Sequence, residues 1–134
     1  MTGLIIRLAP FERMLLNGAI IENGERRTNF AIKSPNAHVL RLRDAILPEQ
    51  ANTPVKRACY LFQLILSGDS TEDEIRQPLL RAIEQLSHVF HDSDSRNLLD
   101  QAARSIVTRE YYLGLKQIRK LLPREARIFA ASLQ

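Results

Sequence analysis

Two Asn-Gly dipeptides, Asn17-Gly18 and Asn23-Gly24, constrain the first third of this chain more than any other feature. Asn-Gly most readily supplies the two consecutive positive-φ residues of a tight hairpin turn, whose twist matches that of the strands it joins. The flanking runs have strand character: Arg13–Leu16 before the first dipeptide, Ala19–Glu22 between the two, and Thr28–Lys33 after the second. Gly3–Leu8 is another β-rich run, closed by Pro10, which cannot donate to a ladder from an interior position. His38–Leu42 follows the turn residues Ser34-Pro35-Asn36. The spacing predicts five short antiparallel strands between residues 3 and 43, with two consecutive hairpins making a meander.

About forty residues of sheet hide too little apolar surface to offset their conformational entropy, so such a module must lean on something. Beyond Asp44 the punctuation changes. Leu47-Pro48 to Asn52 reads as a linker, and Thr53-Pro54 as a helix start with threonine at the N-cap and proline at the first helical position. Gly68 is the stop, giving a helix over 54–67 with Ala58, Leu61, Phe62, Ile65 and Leu66 on one face. Thr71 and Glu74 form the capping box of a second helix, which Pro78 is expected to kink unless it marks the true start. After the polar break at His91–Asp94, the spacing of Leu98, Leu99, Ala102, Ala103, Ile106 and Val107 predicts a third helix. The pattern extends through Tyr111, Leu115, Ile118 and Leu122, with Gly114 as its weak point, before Pro123 ends that helix or opens a last one over Arg124–Leu133. The fold class is therefore α+β. A five-stranded antiparallel β-module, residues 1–46, precedes a C-terminal helical module of three to four helices, residues 47–134.

Charge divides at the same place. Residues 1–43 carry seven basic side chains against three acidic ones, which accounts for the whole formal net charge of +4. A basic surplus on a small β-module, in a chain of pI near 9.6, points to a polyanionic partner. Strand alternation places Arg41 and Arg43 on one face and Leu40 and Leu42 on the other. Arg26-Arg27 lies just past a turn, where long side chains reach out to phosphates or are simply solvated. A second basic group, Arg109, Lys116, Arg119, Lys120, Arg124 and Arg127, falls in the last helices. The helix dipole alone accounts for Arg119 and Lys120, and this group reads as a solvated or partner-facing surface. Tyr111-Tyr112 offers rings that stack on bases, but helical spacing assigns at least one of them to the core.

No catalytic constellation is present. There is no Gly-rich phosphate loop with its lysine and no Ser or Cys nucleophile motif. Glu72-Asp73-Glu74 is explained by its place in a first helical turn, and His88 and His91, near Asp92 and Asp94, lack a further His or Cys to complete a metal site. The expectation is a non-enzyme with no metal and no cofactor. Cys59, the single cysteine, lies among apolar residues and reads as a core group in a reducing compartment. The N-terminal stretch lacks a basic leader followed by a long apolar run, and no apolar stretch reaches the ~18 residues of a membrane span, so the expected location is cytoplasmic.

The run LAPFERMLLNGAIIENGERRT, followed by VLRLRDAILPEQANTPVKRACYLFQ, resembles the FlbT family of flagellin-synthesis repressors. The matching residues are Pro10, Glu12, Arg13, Asn17-Gly18-Ala19, Asn23-Gly24, Arg26-Arg27, Leu40, Asp44, Ile46, Pro48 and Thr53-Pro54. The resemblance covers essentially the whole chain, its N-terminal half being the more specific. It implies post-transcriptional control through the 5′ untranslated region of flagellin mRNA, lowering translation and stability in step with flagellum assembly. It also implies a FlaF-like flagellar regulator as opposing partner, with some members acting positively. The segments LIIRLAPFERMLLNG and KSPNAHVLRLRDAI are also similar to the β-core of the carbon-storage-regulator family, RNA-binding proteins that mask ribosome-binding sites. That likeness implies an interlocked homodimer in which the first strand of one chain lies beside the fifth of the other and the resulting edge grips a GGA-containing loop. Leu4–Arg7 and Val39–Arg43 take those strand positions, and Arg43 matches the family's principal RNA-contacting arginine. Two departures stand out: Leu8-Ala9 replaces a basic pair, and Phe11 replaces a glycine.

The RNA-binding set expected from charge and resemblance together is Arg43, Arg41, Arg7, Leu4, Ile6, Arg26 and Arg27. The expected partners are the flagellin mRNA leader, a FlaF-like regulator and a second copy of the chain. The rival expectation is a protein-interaction adaptor that regulates flagellin through a FlaF-like partner, or through flagellin or its chaperone, without touching RNA.

Overall fold

In the computed structural model, which describes residues 3–34 and 37–133, Asn17 and Gly18 take φ of 50° and 85° and close the predicted two-residue hairpin. It joins β2 (Arg13–Leu16) to β3 (Ala19–Glu22), paired from Arg13↔Glu22 to Leu16↔Ala19. The Asn17 side-chain oxygen also accepts from the His38 backbone amide at 2.9 Å, and the Asn17 backbone amide donates to the His38 carbonyl at 2.8 Å. The turn thereby fixes where β5 (Val39–Arg41) begins, antiparallel on the other side of β2. The predicted turn at Ser34-Pro35-Asn36 falls partly outside the described residues.

The second Asn-Gly does not make a hairpin, which corrects the predicted meander. Neither Asn23 nor Gly24 has a positive φ. The Asn23 side-chain amide instead donates to the carbonyls of Ala9 (2.8 Å), Arg26 (2.9 Å) and Leu8 (3.3 Å), and its backbone amide donates to the Glu12 carbonyl at 2.9 Å. The residue pins the β1–β2 corner, and the chain crosses over so that β4 (Thr28–Ile32) pairs with β1 (Leu4–Leu8), from Leu4↔Ile32 to Leu8↔Thr28. Among the described residues the five strands form two antiparallel sheets, ordered β1-β4 and β3-β2-β5. β1 and β5 thus find their ladder partners within the chain, and the gap between them is bridged by a hydrogen bond of 2.6 Å from Arg41 Nη2 to the Arg7 carbonyl.

Five α-helices follow among the described residues, one more than the pattern predicts: α1 (Pro54–Ser67), α2 (Glu72–Ser87), α3 (Ser93–Val107), α4 (Tyr111–Arg119) and α5 (Leu122–Ser132). α1 has its threonine N-cap and left-handed Gly68, and α2 begins at the Thr71–Glu74 capping box and runs on through Pro78. The extra helix arises because the third one stops at Thr108. Arg109 takes φ 62°, its amide donates to the Ile106 carbonyl and the Glu110 amide to the Ser105 carbonyl at 2.8 Å, which is a Schellman stop built without glycine. α4 can then fold back along α3. Gly114 is what lets it come close: a Cβ there would stand 2.4 Å from the Phe62 ring of α1.

The buried side chains form one cluster, from Ile6, Leu8, Met14, Val39 and Leu40 of the strands to Phe62, Leu79, Ile106 and Ile118 of the helices. Cys59 lies within it. Burial is the main cause pushing its thiol up to about 12, so the group packs and does not react as a thiolate. Glu125 of α5 is buried too, accepting from the Thr53 hydroxyl and from the Val55 amide at 2.8 Å, so it caps the first turn of α1. Beyond Glu125 the rest of α5 is exposed, including Ile128 and Phe129, as is Leu133 just past its end.

Candidate nucleic-acid interface

β1 alternates as a half-buried strand should, with Ile6 and Leu8 inward and Ile5 and Arg7 outward. β5 ends at Arg41, and a 3₁₀ turn over Leu42–Asp44 carries Arg43 away from strand geometry. The two arginines nevertheless converge on one carboxylate. Arg41 donates from Nε and Nη2 to the two oxygens of Glu12, both at 2.8 Å, a fork-to-fork pair whose arginine side chain is only 12% exposed. Burial works to raise the Glu12 carboxyl, but the Ala9 amide, the Arg41 guanidinium and the charge of Arg43 outweigh it and hold it below the usual carboxylate range. Arg43 is held loosely, 3.7 Å from Glu12 and 3.9 Å from Asp44, and stays 58% exposed.

Opposite this edge stands α4. Tyr112, Lys116, Arg119 and Lys120 share one helical face. Arg119 is tied back to the Asp44 carboxylate (3.4 Å) and carbonyl (3.2 Å). Between the two walls runs a cleft of about 690 Å³, lined by Arg7, Arg41, Arg43, Lys116, Arg119 and Lys120 with Ile5, Tyr112 and Pro123, and by a single acid, Asp44. Six basic side chains against one acidic give a local excess larger than the net charge of the whole chain. Arg41 and Arg119 are committed to Glu12 and Asp44. Among the described residues, no carboxylate lies within 4.0 Å of Arg7, Lys116 or Lys120.

The predicted residues are therefore divided. Arg7, Arg41 and Arg43 are brought together, with Arg41 as the member that orders the edge. Arg27 lines an adjoining recess of about 350 Å³, whereas Arg26 lines neither and offers its carbonyl to Asn23 and Thr28. The Ile6 side chain is 1% exposed and Leu4 is half-buried against the core, so as side chains both belong to packing; Ile5 takes the outward position between them. Leu42, expected on the inner face with Leu40, is partly exposed because the 3₁₀ turn breaks the alternation. Lys116 and Lys120 are the residues that sequence reasoning assigned elsewhere. Their four-residue spacing from Tyr112 was the available signal, but nothing local says that this face meets the β-edge. Both members of Tyr111-Tyr112 are buried, Tyr111 with the His38 ring edge-on at 6.3 Å.

His88 and His91 are exposed, and no group of three or more His, Cys, Asp or Glu among the described residues is placed to hold a metal ion. No helix among them is long and apolar enough to cross a membrane.

A model of the family described as flagellar protein FlbT matches residues 4–129. Among similar proteins, a probable flagellum biosynthesis repressor protein FlbT of Rhodopseudomonas palustris is 29% identical over 125 residues, covering 93% of this chain and 96% of its own length. One from Bradyrhizobium diazoefficiens is 31% identical over 128 residues, covering 94% and 84%. The flagellum biosynthesis repressor protein FlbT of Caulobacter vibrioides is 25% identical over 120 residues, covering 90% and 84%. No solved structure matches the chain significantly. With nearly its whole length matched, the chain belongs to the FlbT family of flagellar proteins.

Proposed function

We propose that this chain is a regulator of flagellar synthesis that binds the 5′ untranslated region of flagellin mRNA and lowers its translation and stability. The regulatory role is supported by the names its relatives carry. The RNA reading is carried by the cleft, where unpaired cations from a strand and a helix face each other across a space open to solvent. The mechanism is exclusion: Arg7, Arg43, Lys116 and Lys120 neutralise consecutive phosphates of an unpaired strand, Arg41 and Glu12 hold the edge in shape, and the covered leader is denied to the ribosome. The reading includes two polypeptide partners, a second copy of the chain and a FlaF-like flagellar regulator that opposes RNA binding. The test is fluorescence anisotropy with a labelled flagellin leader RNA over a series of salt concentrations. The wild-type chain is expected to bind with a steep salt dependence, and Arg43→Ala to lose most of the affinity with an unchanged circular dichroism spectrum. Equal affinity in the variant would remove Arg43 from the site, and no binding by the wild type would remove RNA from the function.

One observation favours the second reading, an adaptor that works on protein partners alone. α5 and its C-cap expose Ile128, Phe129 and Leu133 to solvent, although apolar side chains gathered in one short segment ordinarily meet a partner. The adaptor reading predicts that a chain ending at residue 126 loses regulation in cells while its affinity for RNA, if any, is unchanged.

A further inference from the structure

The corner between β1 and β2 is braced beyond what its length requires. The Ala9 amide donates to Glu12 Oε1 at 3.0 Å, the Glu12 amide to the Ala9 carbonyl at 3.1 Å, and the Phe11 amide to the Gly24 carbonyl at 3.0 Å, while Asn23 ties the Leu8 and Ala9 carbonyls from outside. Within this frame Phe11 takes φ 60°, a left-handed conformation that a bulky side chain rarely adopts and that a glycine adopts freely. Strain of this kind persists only where the surroundings over-determine it, and it gathers at binding sites. The ring gains little from burial, since Phe11 is 61% exposed. What the corner achieves is a fixed backbone from which an aromatic side chain extends into solvent.

Its neighbours indicate what that ring would meet. Ala9 and Glu12, on either side of the Pro10-Phe11 tip, belong to the wall of the 350 Å³ recess, together with Arg7, Arg27, Arg41, Arg43 and Asn29. With Arg41 paired to Glu12, Arg7, Arg27 and Arg43 still favour an anion over an apolar peptide side chain, and an exposed ring between two residues of the wall in sequence favours an anion that carries flat groups. We propose that one unpaired nucleobase stacks on the Phe11 ring at the rim of this recess, while Arg27 and Arg43, which line it, hold the flanking phosphates. The inference rests on the RNA reading of the larger cleft, with which the recess shares Arg7, Arg41 and Arg43.

The experiment compares three single-stranded probes of equal length and charge: oligoadenylate, oligouridylate and an abasic phosphodiester. The wild-type chain is expected to bind either RNA more tightly than the abasic strand. Phe11→Gly, which relaxes the backbone and should melt no lower than wild type, is expected to lose roughly 5- to 100-fold in affinity for oligoadenylate. Its affinity for the abasic strand and its salt dependence should be unchanged. The chain contains no tryptophan, so Phe11→Trp supplies a sole fluorophore, expected to keep the affinity and to be quenched by oligoadenylate but not by the abasic strand. Wild-type RNA binding with Phe11→Gly indistinguishable from it would overturn the stacking role and leave the cleft standing. A Phe11→Trp chain that binds RNA without quenching would overturn it as well. Failure of the wild type to bind any of the three probes would sink the RNA reading itself, and this inference with it.

Discussion

Gly114→Leu is expected to remove a large part of the chain's folding stability. A Cβ at this position would already lie 2.4 and 2.7 Å from two atoms of the Phe62 ring and 3.2 Å from the Ser105 Cβ. Phe62 has no accessible surface and sits in the continuous core, so its ring has nowhere to retreat. Overpacking by a methyl or two typically costs about 1–3 kcal/mol. A leucine adds more volume at the point where α1, α3 and α4 meet, and a loss of about 4 kcal/mol or more is expected against a total stability of about 5–15 kcal/mol. Urea denaturation followed by circular dichroism measures it, with Gly114→Ala as the graded control. A leucine variant within ~1 kcal/mol of wild type would mean that the three helices do not meet this closely.

If the proposed RNA reading holds, reversing the charge of the cleft's helical wall, with Lys116→Glu and Lys120→Glu together, is expected to lower RNA affinity roughly 100-fold near physiological salt while leaving the fold intact. Both side chains are exposed and neither has a carboxylate partner to lose, so the protein's stability should barely register the change. Two lost phosphate contacts should also flatten the plot of log affinity against log salt by about 1.4. The paired measurement separates a site made from strand and helix from one confined to the strands. If only Arg7 and Arg43 matter, the double reversal will bind with the wild-type slope, and the RNA path must leave the cleft before reaching α4.

Much of this architecture could be read from the chain because local rules and packing agree. The strand runs, the Asn17-Gly18 turn, the Thr53-Pro54 start and the Gly68 stop each carry their own chemistry and reappear at or within a residue of their expected places. Asn23-Gly24 misleads because its amide is claimed by carbonyls fourteen and fifteen residues earlier, a competition invisible in the dipeptide. The stop at Arg109 misleads because the backbone accepts there a conformation usually signalled by glycine. The site divides in the same way. Strand alternation is a local property and exposes Arg7, whereas the meeting of Lys116 and Lys120 with the β-edge is tertiary. It was hidden further by a helical half whose charges cancel in total while segregating in space.

Glu125 sets a boundary in time as well as in space. The turns of α5 beyond Glu125 bury nothing, and so short a stretch of helix has little stability of its own in water, so they are expected to open more readily than the rest of the molecule. That fraying runs inward only as far as the buried carboxylate, because withdrawing it would strip the first turn of α1 of its acceptor. The backbone amides of these exposed turns should trade hydrogen for deuterium within moments while those at the Glu125 root keep pace with the slow interior.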